Sequence, residues 1–224
     1  MGAFPIIINL HDRPVTIVGG GAVAARKCQA LLDAGARVTV VAPEFDERLE
    51  ELRRQGRIAL TSRHYRTGDL AGAFLVFAAT DSLETNRCVA DEAASRGILA
   101  DITGEPARGT FTTPAILRRG NLLITVSTGG ASPALAAGLR DELADLVGPE
   151  YAETLQILGK IREKLLTAGK DRAYNEQVLR DLAASALPKL LRTRDHAAVD
   201  RLLTSLLGPN VTLDRLDPEP EDPA

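Results

Sequence analysis

Residues Gly19-Gly20-Gly21-Ala22-Val23-Ala24 follow the β-rich run Val15 to Val18 and fit the pattern G-x-G-x-x-A at the start of a helix-forming stretch. In that setting each small residue has a task. Gly19 permits a tight turn, Gly21 lets backbone come close to a pyrophosphate, and Ala24 lets helix and strand pack closely. The first-turn amides around Ala22 and Val23 then face the phosphates, where the helix dipole also favours negative charge. The turn predicts a dinucleotide cofactor of the NAD type.

Glu44 stands 23 residues after Gly21, just past the second β-rich run, near the place from which an acidic side chain accepts ribose hydroxyls. This favours NAD over NADP. Pro43 intervenes, and a second reading makes Glu44 the first-turn acid of the next helix. Thr80 and Asp81 close the fourth β-rich run at the carboxyl edge of the sheet, where open α/β sheets place ligands. The other reading is a cap for the helix beginning near Leu83, and one residue can do both. His11, His64 and His196 are far apart with no pair at ligand spacing, so no protein metal site is expected and each is read as structural or surface. Cys28 and Cys88 form no CxxC and have no neighbouring histidine, which reads as two reduced, buried thiols.

The elements that must position these residues can be read from periodicity. Val15 to Val18, Arg37 to Val41, Ile58 to Thr61, Phe74 to Ala79 and Ile98 to Asp101 are β-rich, and helical stretches run from about Ala22, around Phe45 to Gln55 and near Leu83 to Arg96. This is the βαβ rhythm of a doubly wound parallel sheet, an α/β Rossmann-type domain over residues 1–113. The rhythm then changes. Ala115 to Arg118 and Leu122 to Ser127, separated by Arg119-Gly120-Asn121, read as a hairpin. Ser132 caps a helix from Pro133 to about Val147 with an apolar stripe at Leu135, Leu139, Leu143 and Leu146. Residues 114–148 are therefore a separate strand and helix segment, and a strand pair outside the first sheet needs a partner. Residues 149–215 read as a small helical module with stripes at Leu155, Leu158, Ile161 and Leu165, at Tyr174, Val178 and Leu182, and at Val199, Leu202 and Leu206. The acidic, proline-rich stretch 216–224 is expected to be disordered.

Composition narrows the class of partner. A hydrophobic fraction of 45% supports a real core, and a net charge of −3 gives no bulk attraction to nucleic acid or an anionic membrane. No basic leader precedes an apolar segment and no run approaches the roughly 18 apolar residues of a membrane span, so a cytoplasmic protein is expected.

Four separated strings read together: Val18 to Lys27, Ala34 to Pro43, Ala78-Ala79-Thr80-Asp81, and Ser127-Thr128-Gly129-Gly130-Ala131-Ser132-Pro133 to Ala136. In order and spacing they resemble the precorrin-2 dehydrogenase family, the dehydrogenase and chelatase part of sirohaem synthase, over residues 4 to 148 and more loosely beyond. The resemblance implies oxidation of precorrin-2 to sirohydrochlorin with NAD⁺ as hydride acceptor and, in some relatives, insertion of Fe²⁺. It also implies a homodimer interlocked through the segment after the nucleotide domain, in agreement with the unpaired hairpin.

One position departs from the family. Relatives usually carry an aspartate two residues before the proline of the loop after the fifth strand, and in Asp101-Ile102-Thr103-Gly104-Glu105-Pro106 that place is held by Gly104. Asp101 or Glu105 then supplies the carboxylate, or none is needed, since oxidation requires a nearby hydride acceptor and some base or water. The loss bears harder on metal insertion, which must remove two pyrrole protons. Thr128 stands where relatives often have serine and keeps the hydroxyl. The eight carboxylates of the tetrapyrrole substrate call for amide donors and cations. Ser127, Thr128, Gly129, Gly130 and Ser132 offer a turn leading into a helix N-terminus, and Arg108, Arg118, Arg119 and Arg140 offer guanidinium groups. A bifunctional dehydrogenase and ferrochelatase is the nearest alternative. A non-catalytic NAD-sensing domain is another, against which the second anion-binding turn argues.

Overall fold

The computed structural model describes residues 3–167 and 172–216. The chain forms two compact units, Met1–Thr113 and Pro114–Ala224. In the first, strands β1 (Pro14–Val18), β2 (Arg37–Ala42), β3 (Ile58–Ser62), β4 (Leu75–Ala78) and β5 (Leu99–Ile102) make one parallel sheet in the order β3-β2-β1-β4-β5. Helices α1 (Ala22–Asp33), α2 (Glu47–Arg54) and α3 (Leu83–Arg96) cover it. The strands are short apolar runs because both faces are buried. Val15, Ile17, Val38, Val40, Leu75 and Phe77 share a core with α1 and α2. Val18, Val76, Ala78, Ala100 and Ile102 share the other with Val89, Ala90 and Ala93 of α3. The architecture is the expected α/β Rossmann type. Strand order reverses between β1 and β4, which leaves a crevice at their carboxyl ends.

Several boundaries differ from expectation for local reasons. α2 begins at Glu47 because Asp46 accepts the Arg48 amide as its cap, so Phe45 precedes the helix and Glu44 is not a first-turn acid. β5 starts at Leu99 because the Ile98 amide is taken by Ala93 O at the end of α3. Cys28 is buried, but Cys88 is exposed on α3, which corrects the reading of two buried thiols.

In the second unit β6 (Ala115–Arg119) and β7 (Leu122–Val126) form an antiparallel pair, with Arg119 inside the strand and the two-residue turn Gly120-Asn121 at its tip. Helices α4 (Pro133–Leu146) and α5 (Glu150–Thr167) pack on this pair. The helical stretch breaks into α5, α6 (Arg172–Ala183), α7 (Leu187–Arg192), α8 (His196–Leu207) and α9 (Leu213–Leu216). They share a core of Ile157, Ile161, Leu165, Val178, Leu182, Leu187, Val199 and Leu203. Tyr174 is half-exposed rather than part of it. Leu216, placed in the tail by its sequence, is buried in that core, and 217–224 lie outside the described residues. The α4 stripe also faces outward: Leu135, Leu139 and Leu146 are 56%, 39% and 69% exposed. No helix among the described residues is long and apolar enough to cross a membrane.

Candidate functional site

An open cleft of about 410 Å³ lies where the strand order reverses, lined by residues 18–23 of the glycine turn, by Val41 to Glu44 after β2, by His64 and Tyr65 after β3, and by Ala79 to Ser82 after β4. The three glycines serve it in different ways. Gly19 has φ +120°, and a Cβ there would stand 2.2 Å from the Ala79 carbonyl oxygen. A Cβ on Gly20 would stand 2.0 Å from the Glu44 carbonyl oxygen, and the Asp46 amide donates to the Gly20 carbonyl at 2.7 Å. The turn is thus pressed against both neighbouring strand ends. Gly21 is the opposite case: its Cβ would meet nothing within 4 Å.

The helix that follows is fitted for an anion. α2, α3, α4 and α8 each open on a side chain that accepts a first-turn amide: Asp46, Ser82, Ser132 and Asp195. α1 opens on Gly21 with no side-chain cap and no acidic residue in its first turn. Its leading amides, at Ala22, Val23 and Ala24, are left for a ligand to satisfy. Val23 is 40% exposed at the cleft while Ala24 is fully buried against the sheet. These features fit a dinucleotide pyrophosphate, with Pro43 and Glu44 on one side of the turn and Thr80 and Asp81 on the other. The cap of α3 is Ser82, so Thr80 and Asp81 are not needed for that task.

Residues missed by sequence reasoning complete the frame. Gly20 was visible as the middle of three consecutive glycines, but its need depends on the Glu44 carbonyl lying over it. His64, read as structural or surface, lines the cleft. The loop presenting it is clamped by a two-bond Arg63 to Asp69 ion pair and by Tyr65, whose hydroxyl donates to the buried carboxylate of Glu92. Burial and the Glu92 carboxylate both push the Tyr65 hydroxyl upward, so it stays a donor. Asn86, fully buried, bridges Thr80 and Thr103.

Both candidate carboxylates are engaged. Asp101 lies within β5, and its Oδ2 accepts from Lys27 Nζ at 2.9 Å and from the Thr113 hydroxyl at 2.8 Å. Lys27 Nζ also stands 4.3 Å from the centroid of the Phe77 ring. Glu105, in the loop after β5, accepts from Arg87 through both oxygens at 2.8 and 2.9 Å. That hydrogen-bonded guanidinium holds the Glu105 carboxyl below its usual range. Gly104 has φ +85°, and a Cβ there would meet Leu83 Cδ2 at 3.2 Å.

In the second unit the Thr128 hydroxyl both accepts from the Ser132 amide and donates to the Ser132 carbonyl, each at 3.1 Å, so it holds the turn closed. Gly129 and Gly130 adopt positive φ, and Ser127 Oγ accepts the Gly129 amide. The expected arginines divide. Arg119 donates to the carbonyls of Ala144 and Val147 at the end of α4, which makes it a structural clamp. Arg140 is paired with Asp141, Arg108 with Asp91, and Arg118 is exposed.

Residues 6–115 match the NAD(P)-binding family model, and residues 119–146 match the model described as sirohaem biosynthesis protein central. The chain is 40% identical over 212 residues to siroheme synthase of Methylobacillus flagellatus, covering 93% of this chain and 45% of the relative. It is 37% identical over 212 residues to siroheme synthase 3 of Aeromonas hydrophila, with the same coverage. It therefore spans about half the length of the curated relatives it matches. The solved structure of SirC, a precorrin-2 dehydrogenase, is similar with a TM-score of 0.73 and 25% identity, over 86% of this chain and 96% of that one.

The chain belongs to the precorrin-2 dehydrogenase and sirohaem synthase family. The cofactor is NAD.

Proposed function

We propose that the chain oxidises precorrin-2 to sirohydrochlorin in sirohaem biosynthesis, a cytoplasmic step. The observation that carries this reading is a likeness spanning 96% of SirC, a precorrin-2 dehydrogenase, in a chain whose cleft fits a dinucleotide. When bound, NAD⁺ supplies the hydride acceptor. The chain's own contribution is placement, since a held pair of reactants needs little further chemistry. The uncapped turn of α1 holds the pyrophosphate, Glu44 receives ribose hydroxyls and so favours NAD⁺ over NADP⁺, and Thr80 and Asp81 form the opposing lip.

For the substrate we assign Ser127, Thr128, Gly129, Gly130 and Ser132 to one carboxylate, with Thr128 shaping the turn rather than touching the ligand. Arg108 and Arg140 exchange their surface partners Asp91 and Asp141 for substrate carboxylates, which Arg's forked geometry favours. Glu105, beside Gly104 in the loop after β5, relays to solvent the proton released with the hydride, since a carboxyl held low by Arg87 does not retain it. Asp101 ties β5 to Lys27 of α1 and directly to the Thr113 hydroxyl. The working form is a homodimer, which would cover Ile116 of the hairpin and the outward leucines of α4.

Metal insertion is not part of this proposal, because the Gly104 backbone strains any side chain that would take pyrrole protons there. A separate chelatase then completes sirohaem. The test is anaerobic incubation with precorrin-2 and NAD⁺, following sirohydrochlorin absorbance, then addition of Fe²⁺. Formation of sirohydrochlorin without rapid iron insertion is the expected result. No NAD⁺-dependent absorbance change would refute the assignment.

A further inference from the structure

Asn86, in the first turns of α3, is 1% exposed, the deepest of the buried polar side chains among the described residues. Its position answers a problem created by the sheet. The pairing of β4 with β5 ends at Ala78 and Ile102, with one last bond from the Thr103 amide to the Ala78 carbonyl at 2.9 Å. Past that bond the backbone groups of Thr80, which lines the cleft, and the carbonyl of Thr103 have no strand partner.

The Asn86 side chain takes the place of the missing rung. Its Oδ1 accepts from the Thr80 amide at 3.3 Å and from the Thr80 hydroxyl at 2.8 Å. Its Nδ2 donates to the Thr80 carbonyl at 3.0 Å and to the Thr103 carbonyl at 3.1 Å. A primary amide has two donors and two acceptor sites, and all four are used. The orientation is fixed by chemistry, since the reversed amide would set NH₂ against N–H and oxygen against two carbonyls. One planar group therefore ties a wall of the cofactor cleft, at Thr80, to the loop carrying Gly104 and Glu105.

We infer that Asn86 is a positioning residue for the hydride transfer, acting through Thr80 and Thr103 and touching neither cofactor nor substrate. The inference rests on the dehydrogenase reading above. Two loops that leave a sheet edge without mutual strand bonds would drift independently, and a displacement of about 1 Å at the reacting atoms can cost about 10²-fold in rate. No apolar residue could substitute, because it would orphan the Thr103 carbonyl and the Thr80 amide together.

The test uses full-length Asn86→Ala and Thr80→Val beside the parent chain, with NAD⁺ calorimetry, steady-state kinetics and backbone hydrogen exchange. For Asn86→Ala the NAD⁺ dissociation constant should rise about tenfold, a change of one decade in affinity. Turnover at saturating NAD⁺ and precorrin-2 should fall by a further tenfold or more, on the scale of misplaced reactants. In the parent chain NAD⁺ should slow exchange in both 80–82 and 103–105, while in Asn86→Ala it should slow only the first. Thr80→Val, which removes one of the four bonds together with the two hydroxyl contacts to Ser82, should give a smaller loss of the same kind, and if Asn86→Ala does not fold its 103–105 exchange decides the matter, since a direct cofactor contact at Thr80 would leave that loop's response to NAD⁺ unchanged. A folded Asn86→Ala or Thr80→Val with parental turnover, NAD⁺ affinity and exchange pattern, differing only in melting temperature, would overturn the inference. The calorimetric and exchange measurements hold whatever the substrate, so failure of the precorrin-2 reading shows separately as a parent chain that binds NAD⁺ without turning precorrin-2 over.

Discussion

Replacing Gly21 by valine separates cofactor binding from folding, because adjacent glycines in one turn face opposite surroundings. Gly21 has φ −83° and ψ −171°, an extended conformation that valine adopts readily, and its Cβ would meet no atom within 4 Å. The fold should lose little: valine is a poorer N-cap than glycine but restricts the unfolded chain, so the net change should be about 1 kcal/mol or less. Ligand binding should suffer far more. A branched side chain in the mouth of the cleft would hold a pyrophosphate away from the α1 amides, and two charge-assisted hydrogen bonds lost at roughly 1.5–3 kcal/mol each amount to about 3–6 kcal/mol. The NAD⁺ dissociation constant should therefore rise about 10²-fold to 10⁴-fold, measured by calorimetry. The melting temperature should shift by no more than about 8 °C. Gly19→Ala should invert the pattern, since its Cβ falls 2.2 Å from the Ala79 oxygen at φ +120°, and unfolding should come before any binding defect can be read. Parental NAD⁺ affinity in a folded Gly21→Val chain would refute the placement of the pyrophosphate.

Glu44→Arg should narrow or reverse the preference for NAD⁺ over NADP⁺ in steady-state kinetics, because it exchanges repulsion of a 2′-phosphate for attraction; unaltered selectivity would move the ribose elsewhere. Exposed Cys88 should react with a thiol reagent in the native protein and Cys28 only on unfolding. Burial pushes the Cys28 thiol from an ordinary 9.0 to about 11. Over that window the unfolded chain loses the proton first, so stability should be unaffected by this group below pH 9 and fall above it, a fall that Cys28→Ala should reduce in denaturant titrations at each pH. Asp101→Ala should lower turnover by about 10²-fold if Asp101 takes the proton; a small loss accompanied by reduced stability is expected instead, since the change strands Lys27, while Glu105→Gln should give the larger kinetic loss.

The local pattern of the chain was enough to place the nucleotide unit. Short apolar runs alternating with helical stretches are the pattern of a parallel sheet covered on both faces, and G-x-G-x-x-A after a strand fits the tight turn into the first helix. Those are short-range constraints, and short-range constraints are written in consecutive residues. The outward direction of the α4 leucines was not legible, because periodicity reports that a stripe exists and not which surface covers it. Nor was the task of Gly20, which is set by Glu44 some 24 residues on. The candidate carboxylates show the same division. Sequence located Asp101 and Glu105 beside an absent aspartate, but only the fold brings Lys27 to the first and Arg87 to the second, across 74 and 18 residues. Asn86 is the extreme case: one asparagine on a helix carries no signal of its own, and its four bonds arise only because the strand ends leave polar groups that must be satisfied out of water.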